Sequence, residues 1–117
     1  MRRDPRVCLE DMRQAAERIL QFAAGRTLEE YGRDSLLRSA VERQFEIIGE
    51  ALNRIRRTDP TTAAHVPEHD DIIAFRNLLI HGYDVIDHAR VWQVIENDLP
   101  RLQEQVQKLL NEIDSAP

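Results

Sequence analysis

The sequence predicts an all-α protein, a bundle of four long helices and two short ones. Three observations carry that expectation. Apolar residues recur every three or four positions over four long stretches. Helix-capping residues stand at the start of almost every stretch. No stretch alternates apolar and polar residues as a half-buried strand would.

Asp4-Pro5 supplies a capping side chain and then proline at the first helical position, where its missing N–H costs nothing. Cys8, Met12, Ala15, Ile19 and Phe22 then step by threes and fours until Gly25 stops the helix. Thr27-Leu28-Glu29-Glu30 has the form of a capping box and predicts a short turn ending at Gly32. Asp34 caps the second long helix, with Leu37, Val41, Phe45, Ile48, Leu52 and Ile55 along one stripe. Asp59-Pro60 ends that helix and opens another short turn through Ala64, after which His65-Val66-Pro67-Glu68 reads as loop. A third long helix is expected from about Asp70 to the neighbourhood of Gly82. Asp87 caps the last one, in which Val91, Ile95, Leu99, Leu102, Val106, Leu109 and Ile113 form a near-heptad stripe. Pro100 lies inside that stripe and removes one backbone donor, so a kink rather than a break is expected there. Asp114 to Pro117 reads as a frayed tail.

A chain of 117 residues suits one domain, 1–117, large enough for a real core. Its 42% hydrophobic and 32% charged residues are ordinary for a globular protein. The single Cys8 excludes an internal disulfide framework and a cysteine-based zinc site, which fits a reducing cytosol. No apolar run approaches the roughly 18 residues of a membrane span, and Met1 to Pro5 lacks the apolar stretch of a signal peptide. A cytoplasmic protein with no membrane partner is the expectation. The net charge of −5 argues against a protein that grips nucleic acid over a wide surface, but leaves room for one local basic site. Fifteen of the sixteen basic residues are arginine, Lys108 being the exception, and they are scattered. The tightest cluster, Arg54, Arg56 and Arg57, closes a helix, where cations meet the helix dipole favourably.

Two helices carry more apolar surface than a bundle of this size can cover. The second long helix has Leu36, Ala40, Ile47 and Ala51 beside its main stripe. The third has Ile72, Phe75, Leu78 and Leu79 on one face and Ile73 and Ile80 on the opposite one. The surplus predicts a second contact surface, most simply a two-fold homodimer with Ile73 and Ile80 at the seam.

The third long helix also carries the chemistry. Residues 76 to 83 read Arg-Asn-Leu-Leu-Ile-His-Gly-Tyr, in a segment otherwise almost wholly apolar. Polar groups left there without partners cost on the order of 1–3 kcal/mol each, so Arg76, Asn77 and His81 need a structural network or a chemical task. A guanidinium grips a phosphate through two parallel bonds. An imidazole accepts or donates a proton near neutral pH. Together they suit metal-free cleavage of RNA: the 2′-OH is deprotonated, attacks the adjacent phosphorus, and the anionic transition state is stabilised. DNA lacks that nucleophile. The bland alternative is an ion pair of Arg76 with Glu46 or Glu50, with His81 capping the helix end. From the residues alone both stand.

The octet matches the R-x4-H-x-Y pattern of the HEPN domain, and Phe75 to Asp87 resembles the HepT toxin group. Gln44-Phe45-Glu46-Ile47-Ile48-Gly49-Glu50-Ala51 and Val91-Trp92-Gln93-Val94-Ile95-Glu96-Asn97-Asp98-Leu99-Pro100 resemble that group as well, so the likeness covers almost the whole chain. It implies a HEPN-type up-and-down bundle of four to five helices, acting as a two-fold homodimer. It further implies a metal-independent ribonuclease toxin of a type VII-like toxin–antitoxin module, with RNA as substrate and no cofactor. By position, Arg76 and His81 are the implied catalytic pair and Asn77 their supporting residue. Tyr83 is the implied acceptor of AMP from the cognate antitoxin, a minimal nucleotidyltransferase. Some HEPN domains serve only as binding partners of nucleotidyltransferases, so a non-catalytic helical module is the alternative, and a purely structural dimerisation domain a third.

Other constellations carry less. His65-Val66-Pro67-Glu68-His69 has the letters of a zinc motif, but such a site needs both histidines one turn apart on one helix, which Pro67 would disrupt. No metal site is expected. Cys8 lies on an apolar stripe, the usual place of a buried, inert thiol. Tyr31, His88 and Trp92 read as packing or capping residues near helix ends. Asp87 reads as a cap, while Asp84 could orient an imidazole.

Overall fold

The computed structural model describes residues 4–66, 68–82 and 86–115. These residues are helical almost throughout and contain no strand. The helices are α1 (Pro5–Ala23), α2 (Leu28–Arg33), α3 (Ser35–Thr58), α4 (Pro60–Ala64), α5 (His69–His81), α6 (His88–Gln93) and α7 (Leu99–Ser115). Five of the seven begin at a side chain that satisfies an otherwise orphaned backbone donor. Asp4 accepts from Arg6 N–H at 2.8 Å, Asp34 from Leu37 N–H at 3.0 Å, Asp59 from Thr62 N–H at 3.3 Å and Asp87 from Ala89 N–H at 3.0 Å. Thr27 and Glu30 close the capping box reciprocally, at 3.1 and 3.0 Å.

α1 packs between α3 and α7, and α3 lies between α1 and α5. The expected stripe of α3 is buried along its whole length, from Leu37 to Ile55. It shares one core with Leu9, Met12, Ala15 and Ile19 of α1, all fully buried, and with the stripe of α6 and α7 from Val91 to Leu109. Ile113 and Phe22, expected on these stripes, are 38% and 36% exposed. Ala51, expected on the surplus face of α3, belongs to the core at 5% exposure.

Two details depart from the sequence expectation. α6 and α7 are joined by a π-helical turn, Val94–Asp98, in which the Leu99 N–H bonds to the Val94 carbonyl five residues back. Pro100 brings no N–H and its ring crowds the carbonyl of the preceding turn. The chain answers with one widened turn ahead of the proline. At the C-terminus, Asp114 and Ser115 are helical rather than frayed, because Asp114 accepts two hydrogen bonds from Arg6, at 2.8 and 3.2 Å. Ala116 and Pro117 lie outside the described residues.

Under α2, the fully buried Tyr31 ring packs on Trp92 at 5.3 Å and meets the edge of His88 at 6.2 Å. Burial, reinforced by the charge of Glu42, pushes the Tyr31 phenol up. Glu42 itself is raised from 4.5, chiefly by burial and against the pull of His88 and Arg38. A carboxyl raised in the folded state contributes stability below its unfolded pKa and loses it as pH rises through the folded one. Glu42→Gln should therefore raise the melting temperature by a few degrees at pH 7 and leave it unchanged below about pH 4. Melting curves recorded across that range check it. An equal gain at both ends would mean that charge is not the cause.

Candidate active site

α5 is the least embedded of the long helices. Asp70 and Asp71 in its first turn and His81 in its last suit the helix dipole. Of its thirteen residues only Leu79 is buried, with Ile72 and Phe75 half-buried against the core. Ile73, expected on the opposite, surplus face, is half-buried against the core as well, because α5 is sunk far enough onto α3 for part of that side to be covered. The helix packs chiefly on α3. The Phe75 ring stands edge-on to Phe45 at 5.2 Å, and Arg56 of α3 pairs with Asp70 at 2.7 Å. Its start is anchored at Glu68, the one non-glycine with positive φ (58°) among the described residues. Arg101 of α7 holds that carboxylate at 3.4 Å and Asp98 at 3.1 Å. Between α5 and the α6–α7 rod lies a groove of about 550 Å³, floored by Phe45 and Ile48 and walled by Ile72, Phe75, Leu78 and Leu102.

Arg76 leaves α5 toward α3 and is half-buried there. Its stem lies over Gly49, and its Nη1 donates to Asn77 Oδ1 at 2.9 Å. Its Nε is buried with no hydrogen-bond partner among the described residues. The ion pairs of the bland alternative are not formed: Glu46 lies 3.7 Å from Arg43, and Glu50 accepts from Arg54 at 3.0 Å. His81 is the last residue of α5 and is exposed. Gly82 ends the helix with its N–H on the Leu78 carbonyl at 2.7 Å, at φ −111°, a conformation that does not require glycine.

The structure thus brings Arg76 and Asn77 together but not Arg76 and His81. Five residues at 3.6 per turn set the last two about 140° apart around the helix. Tyr83 and Asp84 lie outside the described residues. His65 caps the end of α4 while His69 opens α5, so the zinc-like letters fall on two separate helices. The residue that the motif reading passes over is Gly49. A glycine inside a helix costs about 1 kcal/mol relative to alanine, so one on the buried face of a 24-residue helix signals a close approach.

The fold is an all-α bundle of HEPN type. The chain belongs to the HepT-like family of ribonucleases, whose family model, described as Ribonuclease HepT-like, matches residues 12–109. It is 31% identical over 109 residues to a protein of Thermococcus cleftensis described as a probable ribonuclease HepT, covering 93% of this chain and 98% of that one. It is 30% identical over 106 residues to a candidate RNase of Methanocaldococcus jannaschii, covering 91% of this chain and 96% of that one. A gamma-glutamylcyclotransferase and candidate RNase of the same organism is 29% identical over 114 residues, which is 97% of this chain but 51% of the relative's length. No solved structure matches the chain at comparable significance. Among the described residues, no helix is long and apolar enough to cross a membrane.

Proposed function

We propose that the chain is a metal-independent endoribonuclease toxin of a two-gene, type VII-like toxin–antitoxin module. It acts as a homodimer, and a minimal nucleotidyltransferase antitoxin silences it by transferring AMP to Tyr83. The observation that carries this reading is α5 itself. In a member of a ribonuclease family, one edge helix presents a braced arginine, an exposed histidine at its end, and a half-buried Ile73–Ile80 strip.

The 140° between Arg76 and His81 favours a composite site. A two-fold contact along the Ile73–Ile80 strip would set two copies of α5 side by side, each arginine facing the cleft with the histidine of the other chain. One imidazole then takes the proton of the RNA 2′-OH, and the oxygen attacks phosphorus. The P–O5′ bond breaks, the second imidazole protonates the leaving 5′ oxygen, and Arg76 bears the developing charge. The product is a 2′,3′-cyclic phosphate. In the silencing step the Tyr83 phenol oxygen attacks the α-phosphorus of ATP and pyrophosphate leaves. An anionic phosphate placed beside the motif satisfies the guanidinium and repels the substrate backbone.

Purified chain incubated with single-stranded RNA and excess chelator should yield fragments ending in cyclic phosphate. Mass spectrometry after co-expression with the adjacent-gene transferase should find AMP on Tyr83. Cleavage stopped by chelator would refute the mechanism. An unmodified Tyr83 in a fully neutralised complex would replace covalent silencing by steric capping. A chain that binds the transferase and never cuts RNA is a holding module instead.

A further inference from the structure

We propose that Gly49 is a positioning residue for Arg76: its missing side chain lets α5 settle against α3 so that the arginine stem lies on the α3 backbone. The inference rests on the reading of Arg76 as the phosphate-gripping group. A methyl group built on Gly49 would fall 2.5 Å from Arg76 Cγ and 3.4 Å from Cδ, and nearer still to Cβ. Cβ, the nearest of the three, is fixed by the α5 backbone, so the arginine cannot make room by swinging its far end aside. No rotamer moves Cβ, so α5 must lift off α3 and carry the whole arginine with it.

The rest of the surroundings explains why this matters for a long, many-rotamer side chain. Gly49 is buried, and Arg76 Nε is buried above it, so the stem is enclosed from the α3 side. Asn77 holds Nη1 from the other side at 2.9 Å. The half-buried side chain is therefore held at its base by Gly49 and at Nη1 by Asn77. A group held before substrate arrives loses little freedom on binding it, and a displacement of about 1 Å costs on the order of 10²-fold in rate.

Alanine is the better helix former, so Gly49→Ala should keep the helical circular-dichroism spectrum and a cooperative melt while spoiling the site. Cleavage of single-stranded RNA should fall about 100-fold. Binding of a 2′-O-methyl oligonucleotide, which internal attack cannot cut, gives the second readout. The slope of log affinity against log salt should drop by roughly 0.7, the loss of one phosphate contact, as it does in Arg76→Ala. The double variant Gly49→Ala/Arg76→Gly, which removes the Cβ in the way, should bind like Arg76→Gly alone. A merely structural role would leave the salt slope at its wild-type value, or add a second loss in the double variant, and either result overturns the proposal. So does a Gly49→Ala protein that cuts RNA normally while Arg76→Ala is dead, which leaves the ribonuclease reading standing. Wild-type chain that cuts no RNA sinks that reading and this inference with it. If Gly49→Ala does not fold, Gly49→Ala/Arg76→Gly decides. A restored cooperative melt supports the close contact, and its absence overturns it.

Discussion

His81→Ala should lower RNA cleavage by roughly 10²–10⁴-fold, the usual weight of a positioned proton-transfer group, and leave the melting temperature in place. The stability half of that expectation follows from exposure. The imidazole stands at the last residue of α5 with no hydrogen bond to another described residue, and substitutions at such sites stay within about 0.5 kcal/mol. Arg76→Ala should be as damaging to the rate, for a different reason. It removes the charge meant for the transition state, and Arg76→Lys should recover little, because an ammonium cannot make the two parallel bonds of the guanidinium fork. Gel assays at matched protein concentration, with circular dichroism as the control, read both halves. If both alanine variants cut RNA like the wild type, the chemistry resides elsewhere in the chain.

Ile80→Glu is expected to split the proposed dimer and abolish cleavage in one step. Ile73 and Ile80 are half-buried along α5, Leu78 is 42% exposed at the groove, and Leu36 at the start of α3 is 80% exposed. An unpaired carboxylate forced into an apolar seam costs on the order of 3–5 kcal/mol, a loss of roughly 10²–10⁴-fold in association. Light scattering should then give half the wild-type mass at micromolar protein. Leu36→Glu maps the extent of the seam: it weakens association too if the start of α3 takes part. A wild-type chain that scatters as a compact monomer and still cuts RNA would rule out the composite site.

Most of the helix boundaries were legible because local chemistry writes them. Asp4, Thr27, Asp34, Asp59 and Asp87 each cap the helix that follows, and a cap needs only its own neighbours two or three residues away. The stripe from Leu37 to Ile55 was legible because burial at 3.6-residue spacing repeats along one element. What escaped depends on parts of the chain far apart. Arg6 reaches Asp114 across 108 positions, so a tail that looks frayed is tied down. Pro100 shows where the backbone must give way, but not that the answer is a widened turn five residues long. The site divides in the same way. The Arg76–His81 spacing is visible in a line of letters, as is the helical angle between them. That Gly49, 27 positions earlier, underlies Arg76 is a fact of two packed helices, hinted at only by the cost of a glycine inside one of them.

The groove beside α5 has one more consequence. With open space on one flank and exposed residues on the other, α5 leans on α3, while the fully buried side chains of α1, α3, α6 and α7 close the core around one another. Native proteins open in parts, and the parts that open first are those with the fewest buried apolar contacts. The helix that bears the arginine and the histidine is therefore expected to detach as a unit while the remainder stays folded, and its amides should exchange with solvent by that partial opening rather than by global unfolding. Anything that clamps α5, whether a second copy or an inhibitory partner, acts on a local equilibrium that is small beside the stability of the whole molecule.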